Sequence, residues 1–229
     1  MKLNPRLHQI NHMITRQYAH IWDCCCDHGL LGAALLDKQA APHIHFVDTV
    51  PHVIAKLEDR LRQFYPQLAH NNQVVAPSQW HTHCLNAKNL PLVHSTQPQL
   101  IIIAGVGGDL TLEIIEHLLQ SHPNIPVEFL ICPVHHHFKV RRRLKQLEIG
   151  LVDEYLIKDN QRFYEIIHVS TQANTPLATV GNKMWDLNLA THQDYLKKTI
   201  THYQNMAKGR TQTDPSPIRA YQALLAQIS

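Results

Sequence analysis

The run Leu100-Ile-Ile-Ile-Ala104 constrains the fold of this chain more than any other stretch of its sequence. The run is short, apolar throughout, and followed directly by the glycine-rich segment Gly105-Val-Gly-Gly108. A strand with no polar side is typical of a sheet that is covered on both faces, because an exposed face would select alternating polar residues. The run therefore predicts an α/β protein built around a buried, mostly parallel sheet.

Alternating apolar runs and amphipathic segments extend this pattern along the chain. An N-terminal helix is indicated by apolar residues at helical spacing from Leu3 to Ile14, and a further helix is expected after Gly108. The last two strands are separated by a polar turn without a helix, which predicts an antiparallel hairpin at the end of the sheet. Strands are predicted over residues 20–25, 44–48, 80–85, 100–104, 127–132, 151–157 and 163–169, and other helices over 30–38, 53–64 and 138–147.

The chain divides into a larger and a smaller part. Its 229 residues suffice for one α/β domain and an appendage. The segment Thr171-Gln-Ala-Asn-Thr-Pro176 is predicted to link a domain of residues 1–170 to a helical region of residues 177–229. In the helical region, one helix is expected to stop at Gly209 and a last one to cover residues 216–228.

Several features argue against a membrane, secreted or metal-binding protein. No run approaches the roughly 20 apolar residues that span a bilayer, and the N-terminus lacks the apolar block of a secretory signal. Cys24, Cys25 and Cys26 are consecutive, which does not suggest a disulfide framework. The 19 histidines show no paired metal-ligand spacing, so we expect surface and capping histidines and no metal. These features predict a cytoplasmic protein.

Positive charge is concentrated in one predicted helix. The net charge is only +3, but five basic residues fall within seven positions. Such clustering fits a polyanionic partner, and a solvated helix face explains it equally well. The basic residues are Lys139, Arg141, Arg142, Arg143 and Lys145.

The segment that follows the first predicted strand carries two carboxylates, in Asp23-Cys-Cys-Cys-Asp27-His28. Ligands of open α/β sheets bind beyond the carboxyl ends of the strands, and this turn lacks the G-x-G-x-x-G motif that admits a pyrophosphate. Carboxylates repel phosphate but suit a cationic aminoacyl group such as that of S-adenosylmethionine, and the small Cys25 lets the backbone come close. An acidic turn that only caps a helix is the alternative.

Other strand ends carry residues that suit the rest of such a ligand. Asp48 ends the second strand, where a carboxylate can accept both ribose hydroxyls. Asn86 and Ala87 follow the third strand and could meet an adenine edge, while Ala104 and Gly105 end the fourth, where glycine lets backbone approach a flat ligand. Turn formation and close strand–helix packing are the alternatives for these positions.

Taken in order, these elements resemble the bacterial tRNA (adenine-22-N1)-methyltransferase family. The resemblance covers about residues 3–170 well and the C-terminal helices loosely. The matching elements are the N-terminal helix, Asp23-x-x-x-Asp27-His28, Asp48, Ile103-Ala-Gly-Val-Gly-Gly108, Cys132-Pro133 and Asp159-Asn-Gln-Arg-Phe-Tyr-Glu-Ile-Ile167.

This resemblance implies a seven-stranded, Rossmann-like class I methyltransferase sheet, S-adenosylmethionine as cofactor, and methylation of N1 of an adenine in tRNA. Asp27 and His28 would then be the catalytic pair, and the basic residues Lys139, Arg141, Arg142 and Arg143 would contact RNA. The chain departs from the family pattern at Cys25, which replaces a glycine, at Gly29-Leu-Leu-Gly32, and at Val134 after Pro133. These departures leave open a methyltransferase on rRNA, DNA or a small molecule, and a non-catalytic RNA-binding module.

Overall fold

A seven-stranded sheet with helices on both faces forms the larger part of the protein. The computed structural model describes residues 3–66, 78–95, 97–208 and 214–226. The strands are β1 His20–Cys24, β2 His43–Asp48, β3 Gln79–Cys84, β4 Gln99–Ala104, β5 Val127–Cys132, β6 Gly150–Asp159 and β7 Arg162–Ser170. The helices are α1 Pro5–Met13, α2 Leu30–Asp37, α3 Pro51–Phe64, α4 Gly108–Ser121, α5 His137–Gln146, α6 Ala190–Lys208 and α7 Ser216–Leu225.

The strand order is β3-β2-β1-β4-β5-β7-β6. The first five strands are parallel, and β7 lies antiparallel to both β5 and β6. The chain progresses outward from β1 in one direction and from β4 in the other, so the sheet has its topological switch point between these two strands. The predicted Rossmann-like sheet with a C-terminal helical appendage is confirmed.

The hairpin of β6 and β7 shows how local sequence fixes this end of the sheet. Asn160 and Gln161 form a two-residue loop, and both have positive φ, at 44° and 68°. Positive φ at both central positions is the geometry of a type I′ turn, whose twist matches that of the flanking strands. The predicted hairpin is confirmed, with strands longer than expected.

Apolar side chains on the two faces of the sheet form two core clusters. One joins Phe46 of β2 and Ile102 of β4 to α1, α2 and α3, and the other joins Ile101 and Ile103 to α4 and α5. Alternate residues of β4 therefore enter opposite clusters, because successive side chains of a strand point to opposite faces. This double coverage explains why β4 is apolar throughout.

The C-terminal helices pack on the sheet domain rather than extending from it. Phe138 of α5 forms a cluster with Leu196 and Ile200 of α6 and with Tyr221 of α7. The predicted helix stop at Gly209 and the last residues of the 216–228 helix lie outside the described residues. The proposed division at residues 171–176 stays a prediction.

Five histidines contradict the expectation of scattered surface residues. They come from β1, β2 and β3, and their rings pack together with the ring of Trp22. The centroids of the Trp22 and His45 rings lie 3.7 Å apart. His45 is buried, and its two ring nitrogens lie 2.9 Å from nitrogens of His20 and His83. Local spacing did not reveal this cluster, because the strands that assemble it are distant in sequence. The five residues are His20, His43, His45, His81 and His83.

Within the described residues, no helix combines the length and the apolar character needed to cross a membrane.

Candidate functional site

A pocket of about 230 Å³ lies where β1 and β4 end, at the switch point of the sheet. Its walls come from α1, from the turn after β1 and from the segment after β4. Six of the predicted cofactor residues line it: Asp23, Cys25, Asp27, His28, Ala104 and Gly105. The other lining residues are Arg6, Leu7, Cys26, Leu30, Leu31 and Val106.

The turn between β1 and α2 has an unusual backbone. Cys25, Asp27 and Gly29 all have positive φ, at 57°, 48° and 66°. The turn is held by two backbone bonds: Cys26 N–H donates to the Val47 carbonyl at 3.1 Å, and Gly29 N–H donates to the Cys26 carbonyl at 2.7 Å. A left-handed conformation costs a non-glycine residue roughly 1–2 kcal/mol. The backbone geometry thus explains the glycine expected at position 25, and Cys25 adopts the same conformation at a cost.

Asp23 connects β1 to the first turn of α2. Its side chain is buried, and one carboxylate oxygen accepts the Gly32 N–H at 3.0 Å. Burial raises the pKa of the Asp23 carboxyl to about 7, and the bond from Gly32 only partly opposes this. Gly32 itself packs against the Phe46 ring, where a Cβ would lie 2.2 Å from a ring carbon. Asp23 therefore has a structural role at the base of the pocket.

Asp48 ties the end of β2 to the same turn. One carboxylate oxygen accepts the Asp27 N–H at 3.2 Å, and the other accepts the Val50 N–H at 3.1 Å. A carboxylate oxygen carries a second lone pair, so Asp48 keeps capacity for ligand hydroxyls. Its predicted role toward a ribose remains a prediction.

The two predicted catalytic side chains face solvent at the mouth of the pocket. The side chains of Asp27 and His28 are 72% and 71% exposed, and Asp27 Oδ1 lies 3.8 Å from His28 Nε2. Neither group is tied up by a hydrogen bond to another side chain within the described residues. Both side chains are therefore accessible to a ligand at this place.

Arg6 is a pocket residue that the sequence analysis missed. Its guanidinium lies 3.6 Å from where a Cβ on Gly105 would stand, and 5.0 Å from the Tyr164 ring centroid. Gly105 has a φ of 85°, so the backbone here needs a residue without a side chain. The one available signal was a basic residue in a helix ahead of the sheet, which does not specify where the side chain points.

Asn86 and Ala87 are not among the residues that line this pocket. The Asn86 side chain accepts the Lys88 N–H at 3.0 Å and caps the short 3₁₀ helix Ala87–Asn89, while Ala87 is buried in the core. Their predicted contact with an adenine edge stays a prediction.

The consecutive cysteines are neutral thiols in this structure. Burial is the main cause that raises the pKa of Cys25 to about 11 and holds that of Cys24 well above its ordinary value. Within the described residues, no three His, Cys, Asp or Glu side chains are arranged to hold a metal ion. Cys25 and Cys26 act as small wall residues of the pocket.

The basic run contains both buried and exposed residues, and one prediction made from it is wrong. Arg141 is 0% exposed and its guanidinium is already paired with two buried glutamates, so it is not available to RNA. Its Nη1 donates to Glu154 at 2.6 Å and its Nε donates to Glu165 at 2.7 Å, which makes it a buried structural cation. The available signal was helical spacing, since Arg141 lies three residues from both Phe138 and Leu144 on the buried side of α5.

The other three predicted RNA contacts are accessible. Lys139, Arg142 and Arg143 have side chains that are 60%, 47% and 42% exposed. Each forms an ion pair with an acid, namely Asp109, Asp214 and Glu116 in that order. Exposed pairs of this kind contribute little to stability, so their cations can exchange partners.

An open α/β sheet with a pocket at its switch point defines a ligand-binding protein of the Rossmann-like class. A family model described as a methyltransferase domain matches residues 3–167. The chain therefore belongs to the methyltransferase domain family.

Solved structures resemble almost the whole chain. TrmK from M. capricolum in complex with S-adenosylhomocysteine is 16% identical, with a TM-score of 0.69 and coverage of 100% of this chain and 95% of that one. The B. subtilis m1A22 tRNA methyltransferase TrmK is 14% identical, with a TM-score of 0.62 and coverage of 99% and 96%. A candidate tRNA (m1A22) methyltransferase from Streptococcus pneumoniae, in complex with S-adenosylmethionine, is 15% identical, with a TM-score of 0.70 and coverage of 98% and 100%. At this identity the likeness shows a shared fold. No curated protein matches the sequence.

Proposed function

We propose that this protein is an S-adenosylmethionine-dependent methyltransferase that methylates N1 of an adenine, at position 22, in tRNA. The observation that carries the proposal is the pocket at the switch point, which joins the acidic turn Asp23–His28 to Ala104 and Gly105. Membership of the methyltransferase family supports the reaction class. Solved tRNA methyltransferases that match this chain over nearly its whole length, including the C-terminal helices, support the substrate.

The charges of the pocket fit the cofactor. Asp27 offers a carboxylate to the ammonium group of the aminoacyl part, and Arg6 offers a cation to its carboxylate. Gly105 has no side chain, so a flat group can approach its backbone closely. Asp48 lies at the end of β2, where its carboxylate can accept hydrogen bonds from the ribose hydroxyls. When bound, the cofactor supplies a methyl group on a cationic sulfur.

The residues around the transfer have a positioning task. N1 of neutral adenine carries a free lone pair, so no base must remove a proton before attack. The protein must hold the base in line and exclude water, which accounts for much of the rate in reactions of this kind. In this proposal Asp27 and His28, whose side chains are exposed at the mouth of the pocket, hydrogen-bond the exocyclic amine and stabilise the positive charge that the base acquires.

The substrate must open before it can react. N1 lies on the Watson–Crick edge, so the base has to leave its pair and stack. Lys139, Arg142 and Arg143 are exposed cations that can bind phosphates and orient the RNA without reading its sequence. Action on tRNA also fits a cytoplasmic protein.

Two measurements test the function. Calorimetry with S-adenosylhomocysteine is expected to show one site per chain, and the purified protein with S-adenosylmethionine is expected to produce 1-methyladenosine in unmodified tRNA. Binding without methylation would indicate a non-catalytic module, and methylation of another RNA would refute the tRNA assignment. Nucleoside analysis of tRNA from a deletion strain, in which 1-methyladenosine should be lost, separates tRNA from other substrates.

A charge-reversal pair tests the RNA surface. Arg142→Glu with Arg143→Glu is expected to weaken tRNA binding and to reduce its dependence on salt, with unchanged cofactor affinity. Lys56→Glu with Arg62→Glu, which reverses the same number of charges on exposed residues of α3, is the matched control. Equal tRNA affinity in the double variant and the control would mean that the basic face of α5 is merely solvated.

A further inference from the structure

A second pocket, of about 340 Å³, lies between the sheet domain and the C-terminal helices. The segment after β5 and the start of β7 form one side of it, and α6 and α7 form the other. We name it the aromatic pocket, because Phe163, Tyr164, Tyr195, Tyr203 and Tyr221 line it. Its volume is within the range of small-ligand sites.

The aromatic pocket adjoins the pocket at the switch point. Arg6 lines the first pocket, and its guanidinium stands over the ring of Tyr164, which lines the second. Val106 lines the first pocket, and its carbonyl accepts the N–H of Val134, which lines the second, at 2.9 Å. A group held in the aromatic pocket is therefore next to the first pocket.

The charge of the aromatic pocket distinguishes it from its neighbour. Its described lining includes Arg162 and Lys198 but no carboxylate, whereas Asp23 and Asp27 line the first pocket. Aromatic faces combined with cations and without acids are the surface on which proteins stack unpaired bases and hold their phosphates. The two pockets thus suit different parts of a two-substrate reaction.

Tyr221 supplies an independent sign of a ligand. It is 0% exposed, and its hydroxyl has no hydrogen-bond partner among the described residues. The neighbouring Tyr195 differs, since its hydroxyl donates to Glu165 at 2.6 Å. A buried unpaired hydroxyl costs about 1–3 kcal/mol, and a ligand with a polar edge would remove that cost. Burial also holds the pKa of Tyr221 well above its ordinary value, so its hydroxyl stays protonated at neutral pH.

We propose that the aromatic pocket receives the unstacked nucleobase that accepts the methyl group, and that entry of the base uncovers the Tyr221 hydroxyl, which then bonds to the edge of the base. The ring of Tyr164 offers a stacking face, and Arg162 and Lys198 face the sugar-phosphate. The last helix of the chain is therefore part of the substrate site. This inference rests on the proposed function.

Tyr221→Phe tests the inference, because it removes only the hydroxyl. We expect kcat/KM for tRNA to fall about three- to tenfold, the equivalent of one lost hydrogen bond. The melting temperature should not fall, since the hydroxyl has no partner within the described protein, and S-adenosylhomocysteine affinity should be unchanged. Tyr155→Phe, on the 45% exposed tyrosine of β6, is the control and should leave kcat/KM unaltered.

Lys198→Gln gives a second test if Tyr221→Phe perturbs folding. This exposed residue of α6 pairs with Asp194 and stands 5.5 Å from the Phe163 ring centroid. We expect weaker tRNA binding and a salt dependence that is smaller by about one phosphate contact.

The outcomes separate the two proposals. A wild-type protein that transfers no methyl group to tRNA refutes the proposed function, and the inference falls with it. An active wild-type protein with unchanged kcat/KM in Tyr221→Phe and unchanged tRNA binding in Lys198→Gln overturns the inference alone.

Discussion

At the turn after β1, Asp27 and His28 present side chains that are more than 70% exposed, while Arg141 in α5 is 0% exposed and bonded to two glutamates. The buried cluster continues outward, because Glu165 accepts the Tyr195 hydroxyl and Glu154 accepts the Asn182 and Lys183 N–H groups. Its charges are fully used within the protein. Those of the turn are exposed, so the comparison separates charges that hold the fold from charges that remain accessible to a ligand.

The largest effect is expected from the buried cluster. Arg141→Met leaves Glu154 and Glu165 without their cation, and removal of one partner from a buried ion pair typically costs about 3–5 kcal/mol. We expect a loss of this size in the free energy of unfolding, measured by urea denaturation. Arg142→Met, which breaks only the exposed pair with Asp214, should cost less than about 1 kcal/mol. Equal losses would refute the distinction between the two arginines.

Asp23 is the one pocket carboxylate that is buried, and pH reveals its effect. Burial raises its pKa to about 7, so between about pH 4 and pH 7 the folded protein keeps a proton that the unfolded chain has lost. Its contribution to stability is present below pH 4 and is lost as the pH rises to 7. Asp23→Asn removes the titrating carboxyl, so only the wild type loses this stability as the pH rises. We therefore expect the free energy of unfolding of the variant, relative to wild type, to rise by up to about 1.4 kcal/mol per pH unit in that window.

The comparison of the two proteins at each pH isolates Asp23. Histidines such as His45, whose pKa burial lowers to about 2, destabilise both proteins alike as the pH falls below about 6.5. Urea denaturation at several pH values supplies the measurement. A constant difference between wild type and variant would show that Asp23 titrates normally in the folded state.

The strained turn should respond to residue size at Cys25. Cys25→Gly relieves a left-handed conformation but adds flexibility to the unfolded chain, so we expect a stability equal to wild type or higher by up to about 1 kcal/mol. Cys25→Val places a branched side chain at the same φ and should lower the free energy of unfolding by about 1 kcal/mol or more. Thermal denaturation compares them, and a more stable valine variant would contradict the explanation.

The smallest change in stability is expected at the mouth of the pocket. Asp27→Asn and His28→Ala alter exposed side chains, so their free energies of unfolding should stay within about 0.5 kcal/mol of wild type. Methyl transfer to tRNA should nevertheless fall in both variants. If both turn over at the wild-type rate while they bind the cofactor normally, Asp27 and His28 have no catalytic role.

Local sequence determined much of the framework. Unbroken apolarity predicted β4, the bounds of β5 were predicted at residues 127–132 as observed, and a polar two-strand segment predicted the hairpin of β6 and β7. Parallel strands that end on the same edge of a sheet also placed Asp23, Asp27 and Gly105 in one pocket. These features follow from periodicity and chain direction, which are local properties.

Tertiary structure alone decided which polar groups are free to act. Arg141, Arg142 and Arg143 are adjacent in sequence, yet only the first meets Glu154 and Glu165, which arrive from strands later in the chain. Arg6 reaches the pocket, and Tyr221 reaches the aromatic pocket, through the packing of helices from opposite ends of the chain. The sequence by itself determined the strands and the chemistry at their ends. Burial and pairing depend on contacts between distant segments, and these exist only once the chain is folded.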